Sequence, residues 1–203
     1  MGRHSVATAE RQALCDLLDE LGPDAPTLCD GWTTGDLAAH LLTRESRADA
    51  GPGLLLPRLF GAHAERLRAR TRARVPYEEL VRRLRGGPPL LPYGLPVLRD
   101  ELSLGEFFVH QEDVRRAQPG WRPRPVSPEL DQALWRRLRR MAPLLLRRAR
   151  GVAVLLTTPD GRRAPGRGGT LEVQLAGTPA ELFLYAFNRR GVAAVQVSGS
   201  PAG

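Results

Sequence analysis

The apolar residues of this chain change their period once, at Gly151, and that change decides its architecture. Before it they recur at helical spacing; after it they alternate. A period of 3.6 covers one face of a helix and a period of 2 covers one face of a sheet, so one segment cannot satisfy both. Residues 5–21 place Ala7, Leu14, Leu17, Leu18 and Leu21 on one stripe that stops at Gly22-Pro23. After the loop DAPTLCDGW, Thr33 opens a second helix, with Asp36 three residues on as in a capping box. This helix is expected to run to about Ala50, where GPG breaks it. Residues 57–74 and 77–85 read as helix interrupted near Pro76, and GGPPLLPYGLPVL (86–98) is a Pro-rich connection of neither period. A helix over 100–117 follows. The next starts at Ser127 or Pro128, with Pro143 expected to kink it.

Beyond Gly151, VAVLLTT, TLEVQLAG and VAAVQVSG alternate as strands do, with PDGRR as a turn. TPAELFLYAFNRR reads as a short helix with Thr178 as N-cap and Glu181 three residues in. The expected architecture is mainly α: a helical bundle over 1–150, then a small α+β domain over 151–203.

The composition narrows the functional classes. No apolar run approaches the roughly 20 residues of a membrane span, and the N-terminus lacks the apolar core of a signal peptide. A cytoplasmic location and no membrane partner are expected. Cys15 and Cys29 form no metal or disulfide pattern and read as plain thiols. The net charge of +8 raises nucleic-acid binding, and all 30 basic residues are Arg. The densest cluster, LWRRLRRMAPLLLRRAR (134–150), answers it. Leu134, Leu138, Met141, Leu145 and Ala149 share one helical face; Arg136, Arg137, Arg139, Arg140, Arg147, Arg148 and Arg150 fall on the other. This is an amphipathic helix with a solvated Arg face, and no nucleic-acid motif accompanies it. No specific nucleic-acid partner is expected.

The stretch LSLGEFFVHQEDVRRA (102–117) is different, because it sets ionisable groups among Phe107, Phe108 and Val109. On a helix, Leu102, Glu106, Val109, His110, Asp113 and Ala117 share an arc roughly 100° wide. Burying such groups costs several kcal/mol unless they are paired or bound to a metal. His40 on the second helix, beside the small Ala39, is the candidate partner; His4 lies in a terminus expected to fray and His63 on a polar stretch. Two imidazoles and a carboxylate on facing helices would make a three-point site for a divalent ion. A structural Glu–His pair, with His40 elsewhere, fits the same spacing.

TLCDGWTTGDLAAHL resembles the W-T-x-x-D-L-x-x-H-L segment of the mycothiol-dependent maleylpyruvate isomerase family, within the DinB-like four-helix-bundle superfamily. EFFVHQEDVRRA resembles that family's E-x-x-x-H-x-x-D-x-R segment, and GTPAELFLYAFNRR its G-x-P-x-E-L-L-L-x-x-x-G-R element, with Asn188 standing where the family usually has Gly. The resemblance spans nearly the whole chain in the expected order, and is nearest to an actinobacterial-type subgroup described only as metal-binding. It implies a DinB-like four-helix bundle with an extra helix and a small α+β C-terminal domain. It implies His40, Glu106 and His110 as metal ligands, zinc being the expected ion, and Asp113 as a group that orients a ligand. It implies that Arg189 approaches the thiol cofactor.

In the family, the sugar thiol mycothiol enters between bundle and C-terminal domain. The implied activity is therefore a metal-dependent thiol transferase or isomerase acting on a small electrophile. No catalytic residue is assigned apart from the metal ligands. Two other readings use the same ligands: a non-haem Fe(II) enzyme, or a non-catalytic metal- or ligand-binding protein of a stress response. The implied partners are a small-molecule thiol and an electrophile, with the chain a monomer or homodimer.

Overall fold

The computed structural model describes residues 5–46, 57–87, 96–147, 149 and 151–199. The expected break after Ala50, most of the Pro-rich connection, and His4 lie outside these. The described residues form two compact units, Met1–Trp121 and Arg122–Gly203. Among the described residues the first holds five helices: α1 (Val6–Leu21), α2 (Thr34–Ser46), α3 (Pro57–Arg74), α4 (Tyr77–Gly86) and α5 (Pro96–Arg115). The second holds α6 (Pro128–Leu145), strands β1 (Val152–Thr157), β2 (Arg163–Arg167) and β3 (Leu171–Ala176), helix α7 (Pro179–Ala186) and β4 (Gln196–Gly199). The chain is mainly α with a small α+β part at its C-terminal end.

The helix starts follow their side chains. Thr33 and Asp36 cap α2 reciprocally: Asp36 Oδ2 accepts from the Thr33 amide (3.1 Å), and Thr33 Oγ1 accepts from the Asp36 amide (3.4 Å). Ser127 Oγ accepts from the Leu130 amide at 3.2 Å, and Thr178 Oγ1 from the Glu181 amide at 3.4 Å. In the first unit α1 packs on α5 and α4, and α2 on α3 and α4. Leu14, Leu18, Leu37, Leu41, Leu80, Leu84 and Phe107 are fully buried between them. Each such side chain contributes about 1.5–3 kcal/mol by leaving water. Ala38 and Ala39 are fully buried too, and small side chains let the neighbours of α2 come close.

The second unit is a four-stranded sheet in the order β2-β1-β3-β4, with β1 and β3 parallel and both outer pairs antiparallel. Strand β2 departs from the sequence expectation, which ended at a turn. Its residues RAPGR carry no alternation, and Pro165 cannot donate to a ladder. An edge position tolerates this, since β2 pairs with β1 alone and the ladder slips between Val154 and Leu155. Gly169 makes the following turn possible, because a Cβ there would stand 2.3 Å from the Val152 carbonyl carbon.

Helix α6 packs on α7 and β2 and groups with the second compact unit, which begins at Arg122, whereas the sequence analysis set its domain boundary at 150. One expectation needs correction. Arg137, expected in solvent, is buried, while Arg136, Arg139 and Arg140 are exposed. The buried face of α6 is Leu130, Leu134, Trp135, Leu138 and Ala142, which is turned toward Arg137 relative to the expected stripe. Arg148 and Arg150 lie outside the described residues. Pro143 stands inside the helix near its end, and the helix stops two residues later.

The first unit buries an ion pair across four helices. Arg11 of α1 pairs with Glu45 of α2 (Nη1 to Oε2 2.6 Å), donates to the Leu84 carbonyl at the end of α4 (2.9 Å), and lies 4.3 Å over the Phe107 ring of α5. Both side chains are more than nine-tenths buried. Arg11→Ala should therefore destabilise the protein by about 3–5 kcal/mol, the usual cost of leaving one buried charge alone. The double replacement of Arg11 and Glu45 by Met should recover most of that in a urea titration, because it removes both charges.

Candidate metal centre

Helix α2 carries His40, and α5 carries Glu106 and His110 four residues apart on one face. The fold brings these three together: one ligand atom from each lies within 4.8 Å of the others. Ligand atoms around a tetrahedral zinc stand about 3.3 Å apart, so the site would need to contract by up to about 1.5 Å. The imidazole rings of His40 and His110 meet edge to face, their centroids 5.6 Å apart.

The His40 imidazole is held as a neutral ligand. Burial, then the charges of His110, Arg44 and Arg68, push the His40 imidazole down to about 3, so at neutral pH it is uncharged with a lone pair available. The Nδ1 of His110 is 3.0 Å from Oδ2 of the fully buried Asp113. With Nδ1 donating to that carboxylate, Nε2 would be the ring atom left to bind a metal. An imidazole held in this way by a carboxylate is the usual arrangement of a metal-bound histidine. The donor set therefore fits a divalent ion.

Four further residues complete the surroundings, and the sequence reading assigned none of them. Arg44, one turn after His40, lies with its Nε 2.8 Å from Glu106 Oε1. The angle leaves that Nε, which is buried, without a hydrogen bond. Trp32 packs against His40 with centroids 4.8 Å apart, and the Arg68 guanidinium covers the Trp32 ring at 5.0 Å. Arg68 is itself paired with Asp36 and Glu65. Burial alone would raise the Asp36 carboxyl; its bonds to the Thr33 backbone and Arg68 outweigh that and hold it below its ordinary range.

Cys29 is the fourth. Its Sγ donates to Asp113 Oδ2 at 3.4 Å, and the neighbouring Leu28 amide donates to the Asp113 carbonyl at 3.0 Å. Cys29, His110 and Asp113 form a second group whose ligand atoms lie within 4.8 Å. Arg44 shares a helical face with His40 by its i, i+4 spacing, but its contact with Glu106 comes from packing. Cys29 and Trp32 carry no such spacing signal, because a loop has no period from which to read a face.

Arg189 lies in the second unit. Asn188 takes the left-handed conformation (φ 68°) that Gly adopts most easily. The Arg189 amide bonds to Leu184 O (2.9 Å) and the Asn188 amide to Tyr185 O (3.0 Å), a Schellman motif closed by Asn. The side chains of the two arginines diverge: Arg189 Nη1 donates to Phe187 O at 2.7 Å, whereas Arg190 covers the Tyr185 ring at 5.3 Å. His63 is half-buried on α3 and belongs to neither ligand group.

No protein-family profile and no curated protein sequence matches the chain. Two solved structures do. A crystal structure of the mycothiol-dependent maleylpyruvate isomerase superposes with a TM-score of 0.66 at 16% identity, covering 97% of this chain and 92% of that one. A histidine-to-alanine mutant of the same isomerase gives 0.65 at 16% identity with the same coverage. The fold is shared across nearly the full length of both chains. Among the described residues, no helix is long and apolar enough to cross a membrane.

The two thiols should differ sharply in reactivity. Cys15 is fully buried, and burial above all pushes its thiol up to about 12. It carries almost no thiolate below pH 9. At pH 8 the native protein should take up one iodoacetamide adduct, at the half-buried Cys29, at least ten times faster than a second. Equal rates in a peptide map would contradict the burial of Cys15.

Proposed function

We propose that this protein is a metal-dependent enzyme that uses a low-molecular-weight thiol, with mycothiol as the expected one, in transfer to or isomerisation of a small electrophile. The convergence of His40, Glu106 and His110 from α2 and α5 carries the reading. The fold shared with a mycothiol-dependent isomerase supports it. Zinc is the ion best suited to two imidazoles and a carboxylate, and three protein ligands leave a coordination position open. A divalent ion held there lowers the pKa of a thiol that coordinates it, so that the nucleophilic thiolate exists at neutral pH.

The protein's own groups have distinct tasks in this proposal. His40 enters uncharged because its surroundings disfavour the imidazolium. Asp113 fixes the ring of His110 through Nδ1. Trp32 shields one face of His40 from water. Arg189 supplies a positive charge for an anionic group of the thiol, at a backbone position set by Asn188.

Protein purified without chelator should hold about one divalent ion per chain, read by elemental mass spectrometry. His40→Ala should lose it while retaining the helical circular dichroism. Full occupancy in that variant would remove His40 from the site, and iron in place of zinc would favour oxygen chemistry on the same ligands. In calorimetric titrations with mycothiol, Arg189→Ala should weaken binding by about 1.5–3 kcal/mol, the range for a charge-assisted hydrogen bond. Arg190→Ala should change it far less. Equal affinity for wild type and Arg189→Ala would reduce Arg189 to a helix-end charge.

A further inference from the structure

We propose that Arg44 competes with the metal for Glu106 and thereby sets how tightly the centre holds its ion, a positioning role that rests on the metal reading above. The Arg44 Nε is 2.8 Å from Glu106 Oε1, and both side chains are about four-fifths buried. Arg68, the other guanidinium whose charge reaches His40, is matched by Asp36 and Glu65. Without a metal, Arg44 and Glu106 cancel. With a divalent ion on Glu106, the charges of ion, carboxylate and guanidinium sum to a net +2, and in a half-buried site like charges repel more strongly than in water.

The geometry gives the same direction. Arg44 Nε makes no hydrogen bond, so the contact holds Glu106 by charge rather than by an aligned N–H. An aligned bidentate fork is the arrangement by which Arg fixes a carboxylate in one orientation. An off-axis pair leaves Glu106 able to turn, and its cost to the metal is the competing positive charge. Removing that charge should therefore tighten metal binding. If Arg44 mainly pre-oriented Glu106, removing it would weaken binding.

Zinc affinity is to be measured by competition with a chromophoric chelator, on the full chain stripped of metal, for wild type, Arg44→Gln, Arg44→Met and Arg44→Lys. Arg44→Gln should bind zinc at least ten times more tightly than wild type. Arg44→Met keeps the aliphatic stem and should do the same, which covers a failure of the Gln variant to fold. Arg44→Lys restores the charge and should stay within about threefold of wild type. Glu106→Gln should lose tight binding. Zinc bound equally or more weakly by Arg44→Gln and Arg44→Met overturns the competition while the metal centre stands. Tight binding by Arg44→Lys also overturns it, since size rather than charge would then matter. No zinc binding by any of the proteins overturns the metal reading and this one together.

Discussion

A charge taken out of water must find a partner, and the first unit is organised around that requirement. Helix α5 is buried along most of residues 103–115, although Glu106, His110, Glu112, Asp113 and Arg116 all lie on it or at its end. An isolated charge in such a place costs several kcal/mol, so each needs a counterpart in reach. Glu112 takes Arg116 at 2.6 Å and Arg115 at 2.9 Å, Asp113 takes His110 and Cys29, and Glu106 takes Arg44. Arg11 and Glu45 close a further pair between α1 and α2.

These pairs differ in what they leave open. Arg116 with Glu112, and Arg11 with Glu45, are nearly inaccessible; the first braces the end of α5 and the second ties α1 to α2. Their net contribution to stability is small, because desolvation offsets most of the attraction, but breaking one is costly. Glu106, Arg44 and His110 retain partial exposure, so a solute can reach them. The centre is thus a part of the polar seam that water still touches. His40 extends it from α2, held neutral by burial and by the positive groups around it.

The second unit solves a simpler problem with ordinary means. Central strand β1 alternates Val154 and Leu156 inward with Leu155 outward, and α6 and α7 bury their apolar faces against each other. Glu181 is buried at the start of α7, where it accepts the Ala194 amide at 2.8 Å, so the carboxylate holds the chain segment before β4. Sequence periodicity reached β1 and β3 because each alternates along the strand, and the Thr178 cap marked α7, a helix buried on nearly every side. It missed β2, an edge strand of Arg, Ala, Pro, Gly and Arg whose place comes from pairing with β1 rather than from its own pattern.

The helices, their caps at Thr33, Ser127 and Thr178, and the change to strands at Gly151 were legible in the sequence, because each depends on residues within a turn or two. So was the oddity of Glu106, His110 and Asp113 on an apolar helix. The meeting of His40 with that pair depends on how α2 and α5 are placed in the packed unit, which local spacing does not encode. The same holds for Cys29 on Asp113, Trp32 on His40, and Arg44 on Glu106. It holds for α6 as well, whose amphipathic pattern foretold a buried face but not that α7 and β2 would cover it, nor that Arg137 would be drawn in. Periodicity is a property of one segment and fixes which face must be hidden. Only tertiary packing decides what hides it, because the hydrophobic effect that drives burial is non-directional and names no partner.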